Sequence, residues 1–314
     1  MPGIRAMLLG VSFASVQVAA VQAEEPAASR WSAALEEVAV YLEDDYIYPQ
    51  TGAAMARHLR EHAGDYDQAA DLDALAQALT EDLYDIAQDH HLRLWTQGSQ
   101  AAPSRAPMSR EQIEHCRTAP IEHRWLAPDI GYIQFPRFRS EPDYLAGFDG
   151  AMEALDGADA IILDLRANCG GDEMAVRHLS TYFFDQPTHL VSSQIGDGEP
   201  RERWTLDTVP GPRQPEAALY ILVDNGTFSA AESFSFGMRA TGRATLVGIP
   251  TGGGGHFGAM VELDSGMRMF LPIGRTFDPR TGEGWEATGI TPDIRTDTSD
   301  AALDAAVADF RSAR

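Results

Sequence analysis

The sequence predicts a mixed α/β protein, in which a core of strands and helices is preceded by a small N-terminal helical domain. Apolar residues recur at helical spacing in the first hundred residues. From about residue 125, nearly continuous apolar runs of strand length alternate with helical segments, a pattern typical of a largely parallel sheet. Gly-rich turns follow two of these buried strands, at the sheet edge where such folds usually have their sites.

The first residues, MPGIRAMLLGVSFASVQVAAVQAEEP, indicate a secretory signal. Arg5 supplies the positive start, an apolar stretch follows, and Val21-Gln22-Ala23 offers small residues for cleavage. The alternative is a membrane anchor, but the apolar run is shorter than the roughly 20 residues that a span needs. We therefore expect residues 1–23 to be removed and the protein to be exported, periplasmic or extracellular, without stable membrane insertion.

Residues 24–96 are expected to form the helical domain. Its evidence is two sets of apolar residues at helical spacing: Trp31, Leu35, Val38 and Leu42, and then Leu72, Leu75, Leu79, Leu83 and Ile86. In QDHHLRLW the period changes toward strand alternation. Residues 97–124, which include the Pro/Ser-rich stretch TQGSQAAPSRAPMSREQ, are expected to be a connector.

Residues 125–314 are expected to form the α/β domain, element by element. IGYIQFPRF is strand-like, ADAIILDLRANCGG is a buried strand followed by a turn, and DEMAVRHLSTYFF is a helix. THLVSSQI and RERWTL suit a hairpin, and AALYILVDN is a buried strand leading into a helix. ATLVGIP is a strand, GAMVELDSGMRMFLPIG is a hairpin turned at Asp264-Ser265-Gly266, and DAALDAAVADF is a closing helix.

The composition limits the classes of partner and the catalytic residues that the protein can use. The formal net charge of −23 argues against nucleic acid or anionic lipid as partners, because both are strongly negative. The chain contains no lysine, so all 24 basic residues are arginine. Cys116 and Cys169 could pair in an exported protein or stay separate buried thiols, and the spacing leaves both readings open.

Ser229, in NGTFSAAESFSFG, is the candidate nucleophile. Ser229-Ala230-Ala231-Glu232 also fits a capping box, in which the serine only begins a helix. However, Ser229 follows a buried strand, and a helix N-terminus offers free N–H groups to an oxyanion. The turn Asn168-Cys169-Gly170-Gly171 after another buried strand could supply a further N–H.

Six motifs follow one another along about two thirds of the chain: DHHLRL, GYIQF, LDLRANCGG, NGTFSAAE, TGGGGH and GWEATGITPDI. In this order they resemble the S41 peptidases, the family of C-terminal processing proteases, tricorn core proteases and interphotoreceptor retinoid-binding protein. The resemblance implies a crotonase/ClpP-like core. It also implies that Ser229, three residues before Glu232, is the nucleophile.

The chain departs from the processing proteases at the base. Those proteases use a lysine in the glycine-rich turn after the serine, which is residues 251–255 here, and a Ser–Lys pair is impossible without lysine. They also carry a PDZ-like insertion between the motifs DHHLRL and GYIQF, which this chain lacks. The resemblance is therefore closer to the retinoid-binding-protein-like and tricorn-like branches.

Tricorn-like members pair the serine with a histidine and a later glutamate, which the motifs match to His91 and Glu286. The competing interpretations are a cationic residue at a helix C-terminus for His91 and an exposed hairpin carboxylate for Glu286. His256, after four glycines, is the alternative base or a substrate-binding residue. His90 and His91 are not expected to bind a metal, because adjacent histidines lack ligand spacing.

Together these observations predict an exported serine endopeptidase that acts on peptides or unfolded proteins without a cofactor or metal. Ser229 attacks the carbonyl, His91 accepts its proton and Glu286 orients His91. The N–H groups of Ala230 and of Gly171 or Gly170 hold the oxyanion. A histidine base predicts activity that falls as pH drops through roughly 6 to 7. The alternative function is a non-catalytic module that holds a retinoid, a fatty acid or a peptide in the same cleft.

Overall fold

The computed structural model describes residues 29–97 and 110–314, without the side chains of residues 110–113. The predicted signal peptide, residues 1–23, lies outside these ranges. No helix within the two described ranges is long and apolar enough to cross a membrane.

The N-terminal region is helical, as predicted. Its elements are α1 (Ser32–Asp45), α2 (Pro49–Glu61), a 3-10 helix (Ala63–Gln68) and α3 (Leu72–Ala87). The start of α3 is fixed by Asp71, whose carboxylate accepts a hydrogen bond from the Ala74 N–H at 2.9 Å. The helix ends at Gln88, whose positive φ of 52° turns the chain toward the next strand.

The remaining elements are eleven strands and five helices within the described ranges. The strands are β1 (Arg93–Thr96), β2 (Glu122–Ala127), β3 (Ile130–Gln134), β4 (Ala160–Asp164), β5 (His189–Ile195), β6 (Arg201–Trp204), β7 (Ala218–Val223), β8 (Thr245–Gly248), β9 (His256–Glu262), β10 (Met267–Phe277) and β11 (Ile294–Arg295). The helices are α4 (Arg110–Thr118), α5 (Pro142–Ala154), α6 (Glu173–Thr181), α7 (Ala230–Ala240) and α8 (Ala302–Ser312).

Six strands form the mainly parallel sheet that the apolar runs predicted. Their order is β11-β8-β7-β4-β3-β2, and only β2 is antiparallel to its neighbour. One face packs against α5, α6 and α7, through residues such as Phe148, Leu179 and Phe234. The other face packs against α8, where Phe310 is buried. This mixed α/β architecture confirms the predicted fold class.

A second, antiparallel sheet connects the two parts of the chain. Its order is β1-β10-β5-β6, with β9 also paired to β10. The N-terminal helices share one apolar core with Leu94 of β1 and with Met267 and Met269 of β10. In addition, Arg93 of β1 pairs with Phe270 of β10. The helical layer is thus joined directly to the core domain.

The segment expected to be a connector contains regular structure at its C-terminal end. The helix α4 and the beginning of β2 both lie within residues 97–124. The first four residues of β2 are exposed, so the strand has no apolar alternation for a sequence pattern to detect. In α4, Cys116 forms a disulfide with Cys169, with the two Cα atoms 6.2 Å apart. The pairing that the sequence left open is thus present.

Candidate active site

Ser229 lies on a sharp turn between β7 and α7. The turn is built by Asp224, whose carboxylate accepts hydrogen bonds from the N–H groups of Gly226 and Thr227 at 2.8 and 3.2 Å. Ser229 itself has φ 56° and ψ −117°. This backbone conformation is energetically unfavourable for any residue that has a Cβ atom. Such strain at a strand-to-helix turn is typical of an exposed nucleophilic serine.

Glu232 is the glutamate of the capping box at the start of α7, and it also accepts hydrogen bonds from the glycine-rich turn. Its carboxylate accepts the Ser229 N–H at 2.9 Å, and also the Thr251 hydroxyl at 2.5 Å and the N–H groups of Gly253 and Gly254 at 2.7 Å each. Burial raises the pKa of Glu232, although these hydrogen bonds oppose the shift. Glu232 therefore fixes the glycine-rich turn against the start of α7.

His91 is the histidine next to the serine. Its Nε2 lies 3.3 Å from Ser229 Oγ, and the two residues are 138 positions apart in the sequence. The imidazole lies against the rings of Phe228 and Phe270, with centroid distances of 4.7 and 5.5 Å. The backbone of His91 is held by Asp89, whose Oδ1 accepts the His91 N–H at 2.9 Å. The structure thus brings together the two residues that the motifs suggested.

The surroundings of His91 keep it neutral. Burial lowers its pKa to about 3, with the Asp89 carboxylate opposing the shift and the charge of Arg93 adding to it. A neutral imidazole can accept a proton at pH 7. Nδ1 of His91 is buried and has no hydrogen-bond partner within the described residues.

Glu286 does not hydrogen-bond the His91 ring in the part of the chain that the structure describes. Its carboxylate instead accepts three backbone N–H groups, those of His90 at 3.2 Å, Gly255 at 2.6 Å and His256 at 2.8 Å. Burial, together with the negative charge of Asp89, raises the pKa of Glu286 to about 7. Glu286 therefore joins the turn that carries His91 to the glycine-rich turn, so any orienting effect on the ring is indirect.

His256 is bonded to a carboxylate rather than to the serine. Its Nδ1 lies 2.7 Å from Asp89 Oδ2, and its Nε2 lies 3.3 Å from the Tyr48 hydroxyl. Burial alone would lower the pKa of His256, but the hydrogen bond to Asp89 and the charges of Asp89 and Glu286 raise it. Tyr46 donates a further hydrogen bond to Asp89 at 3.0 Å.

Asp89 is the site residue that the sequence reasoning missed. It is fully buried, and one carboxylate holds the backbone of His91, the ring of His256 and the hydroxyl of Tyr46. The only available signal was its position two residues before His91 in the DHHLRL motif.

The candidate oxyanion donors lie beside Ser229. Gly170 packs so tightly that a Cβ there would lie 2.7 Å from the Ser229 Cβ. Its N–H donates to Asn168 Oδ1 at 3.0 Å, so Gly170 is not the free donor that was one of two alternatives. No hydrogen bond among the described residues occupies the N–H of Gly171 or of Ala230, and both residues line the cleft next to Ser229.

The cleft beside Ser229 has an apolar wall. The wall is formed by Val176, Leu190, Val191, Phe257 and Trp285. Asp89, His91 and Glu286 also each offer one atom within 4.8 Å of the others, close enough for a cation. Oxygens of both carboxylates already accept hydrogen bonds from protein groups, which leaves them less available to a metal ion. That the protein needs no metal stays a prediction.

Family models match nearly all of the described chain. A model of peptidase family S41 matches residues 129–296, which is more than half of the 314 residues. A second model, described as the N-terminal domain of peptidase S41 in eukaryotic IRBP, matches residues 27–122.

Curated relatives are similar over about half of this chain. Carboxyl-terminal-processing peptidase 3 of Arabidopsis thaliana, a chloroplastic protein, is 27% identical over 170 residues, covering 54% of this chain and 32% of the relative. A carboxy-terminal processing protease of Bacillus subtilis is 28% identical over 174 residues, covering 55% and 36%. This chain thus spans only about a third of the length of these relatives.

Solved structures share the fold over most of the chain. A putative peptidase from Parabacteroides merdae superposes with a TM-score of 0.66 at 17% identity, covering 87% of this chain and 95% of that one. A lipoprotein from Streptococcus agalactiae gives a TM-score of 0.64 at 17% identity, covering 92% and 98%. With a family model over more than half of its length and this shared fold, the chain belongs to peptidase family S41.

Proposed function

We propose that the protein is a serine endopeptidase that hydrolyses peptide bonds in peptides or unfolded proteins. The observation that carries the proposal is the 3.3 Å approach of His91 Nε2 to Ser229 Oγ at the N-terminus of α7. A serine is a weak nucleophile until a neighbouring base takes its proton. Family membership supports the same reaction class.

In the proposed reaction, Ser229 Oγ attacks the peptide carbonyl carbon while its proton passes to His91 Nε2. The carbonyl oxygen becomes an oxyanion, which the N–H groups of Gly171 and Ala230 stabilise. The C–N bond then breaks as His91 returns the proton to the leaving amine, which leaves an acyl group on Ser229. A water molecule hydrolyses this ester with His91 again as base.

Asp89 is proposed as the residue that positions His91. It holds the His91 backbone at 2.9 Å, and His256 and Tyr46 hold Asp89 in turn. Its negative charge favours the imidazolium that forms during the reaction, as its opposition to the lowered pKa of His91 indicates. His256 is accordingly proposed to support Asp89 rather than to act as the base.

The substrate side chain before the cleaved bond is proposed to be apolar, because five apolar side chains line the cleft next to Ser229, beside the polar and charged side chains of Glu173, Arg177, Ser193 and Arg203. Export remains a proposal that rests on the N-terminal sequence, where Arg5 precedes an apolar stretch and a small-residue cleavage site. The formal net charge of −23 is consistent with peptide rather than nucleic-acid substrates.

One observation favours a second candidate function. Nδ1 of His91 has no partner within the described residues, and burial lowers the pKa of His91, which weakens it as a base. A binding module that holds a retinoid, a fatty acid or a peptide in the apolar cleft would not need a strong base.

A paired assay separates the two candidates. We expect the purified protein to release fluorescence from a fluorogenic casein, and casein to compete poorly with a lipophilic dye. Displacement of the dye by fatty acid or retinoid without casein hydrolysis would instead support the binding module.

The pH profile is expected to report Glu286 rather than His91. Because burial lowers the pKa of His91 to about 3, its protonation should reduce kcat/KM only well below pH 6. The pKa of Glu286 is raised to about 7, and its ionised form favours the imidazolium, so kcat/KM should rise modestly as pH increases through 7. We expect Glu286→Gln to remove this rise and keep the loss at low pH. A steep fall through pH 6 to 7 that survives in Glu286→Gln would mean that the His91 pKa is ordinary.

A further inference from the structure

Two histidines lie one turn apart at the C-terminal end of α2, outside the candidate active site. They are His58 and His62 in the stretch HLREH, and their rings stack with centroids 4.4 Å apart and 26° between the planes. Residues four positions apart share one face of a helix. Zinc peptidases present two histidine ligands from a helix at this spacing, in the pattern H-x-x-E-H among others. Because so short a pattern also occurs by chance, the surroundings of the pair have to decide.

The ring of His62 is fixed in one tautomer. Its Nδ1 lies 3.0 Å from the backbone carbonyl oxygen of His58, which can only accept, so Nδ1 carries a proton. A neutral His62 therefore has its lone pair on Nε2, and no hydrogen bond within the described ranges occupies that atom. Histidines that bind metals almost always donate their other ring N–H to a carbonyl, a carboxylate or water. His62 thus has the arrangement of a metal ligand.

A carboxylate of α3 lies beside the pair. Asp82 Oδ2 is 3.9 Å from His58 Nε2, which is too far for a hydrogen bond. Zinc bonds imidazole nitrogen and carboxylate oxygen at about 2.0–2.2 Å, so a tetrahedral ion holds two such atoms about 3.4 Å apart. The gap is therefore within about half an ångström of the separation that zinc requires. Tyr66 donates a hydrogen bond to Asp82 at 2.7 Å and orients the carboxylate from the side away from solvent.

The three side chains are accessible enough to close around an ion. The exposed fraction of the side chain is 31% for His58 and 47% for Asp82, and His62 is exposed as well. Their ligand atoms do not all lie within 4.8 Å of one another, so the set closes by rotation of a side chain. Exposed side chains change rotamer within picoseconds to nanoseconds. The formal net charge of −23 also attracts cations to the surface.

We propose that His58, His62 and Asp82 bind a zinc ion, with water in the fourth position. Two imidazoles and one carboxylate form a ligand set that zinc accepts. The ion joins the end of α2 to α3 and so stabilises the helical layer. The inference does not rest on the proposed peptidase function, because His58 is ten residues from Tyr48, the neighbour of His256, which is about 15 Å along the helix.

Titration of the purified protein with zinc tests the proposal. After treatment with a chelator, calorimetry with zinc chloride at neutral pH should show one equivalent bound. The unfolding temperature should rise by about 4 °C at a hundredfold excess of zinc over its dissociation constant, because the ion binds the folded chain. The affinity should fall below about pH 6.5, since zinc binds the neutral imidazole.

Three variants remove the ligands one at a time. His58→Ala, His62→Ala and Asp82→Asn should each weaken zinc binding by about tenfold or more. Asp82→Asn keeps an oxygen that can accept the Tyr66 hydroxyl, so it separates the loss of a ligand from the loss of packing. His123→Ala is the matched control, because it removes another exposed histidine, on β2, and should bind zinc as wild type does. Unfolding without zinc shows that each variant is folded.

Three results would overturn the inference. The first is a wild type that shows neither heat of binding nor a higher unfolding temperature with zinc. The second is binding that survives His58→Ala or His62→Ala unchanged, which would place the ion elsewhere. Loss of binding in His91→Ala would then assign it to the active-site carboxylates and histidine. The third is binding that Asp82→Asn leaves unchanged, which would show that Asp82 is not a ligand.

Discussion

Replacing Ser229 by alanine is expected to abolish peptide hydrolysis, with a loss in kcat of about 10⁴-fold or more. The variant removes the Oγ that lies 3.3 Å from His91 Nε2 and leaves the rest of the site in place. Without an attacking oxygen, no acyl intermediate can form on the protein. Hydrolysis of fluorogenic casein by purified wild type and variant measures the loss.

Stability and activity measured together distinguish a nucleophile from a helix cap at this position. Loss of the cap in Ser229→Ala should lower the free energy of unfolding by about 1 kcal/mol. Ser229→Gly should be more stable than Ser229→Ala by about 1 kcal/mol or more, because glycine tolerates φ 56°. Both variants should be inactive. Ser235→Ala is the matched control in the same helix, since its hydroxyl bonds only the Ala231 carbonyl at 2.8 Å. Wild-type turnover by either Ser229 variant would end the proposal.

The second large effect is expected at His91. His91→Ala should lower kcat by about 10³-fold or more, because it removes the only ring within hydrogen-bond distance of Ser229 among the described residues. His256→Ala should cost no more than about 10²-fold, since coupling through one neighbour, here Asp89, is worth about 0.5–3 kcal/mol. Steady-state kinetics on one peptide measure both losses.

Two comparisons make the His91 prediction sharper. His123→Ala, at an exposed position on β2, should behave as wild type. Glu286→Gln should add little to the loss in His91→Ala, because residues that act as one unit are not additive. Equal losses in His91→Ala and His256→Ala, at unchanged unfolding temperature, would assign the proton transfer to His256.

The elements that the sequence could predict are those with one buried face. Leu35, Val38 and Leu42 of α1 are buried, and so is every residue of β4, which appeared as a continuous apolar run. Exposed elements such as β2 have no such pattern. The second sheet could not be assembled from local patterns either, because β1 pairs with a strand more than 170 residues later in the chain.

The site could be predicted only in part, for a related reason. Ser229 and His91 occupy recognisable motifs, and the structure brings them within 3.3 Å. The partners of Glu286 and Asp89 are backbone N–H groups and a histidine 167 residues away from Asp89, which no local spacing reveals. Likewise, the choice between Gly170 and Gly171 as oxyanion donor depends on the hydrogen bond from the Gly170 N–H to Asn168, which the sequence does not reveal.

The order of the site along the chain has a consequence during synthesis. A ribosome makes the helical layer with His91 first, but Ser229 follows 138 residues later and Glu286 later still. Until those residues have been translated, the chain contains His91 without Ser229, and on the proposed mechanism it cannot hydrolyse a peptide bond. Domains generally fold in the order of their synthesis, so the nascent protein is inert while it is partly folded and most easily degraded. On the proposed mechanism, peptide hydrolysis therefore becomes possible only after Ser229 has been translated and has folded against His91.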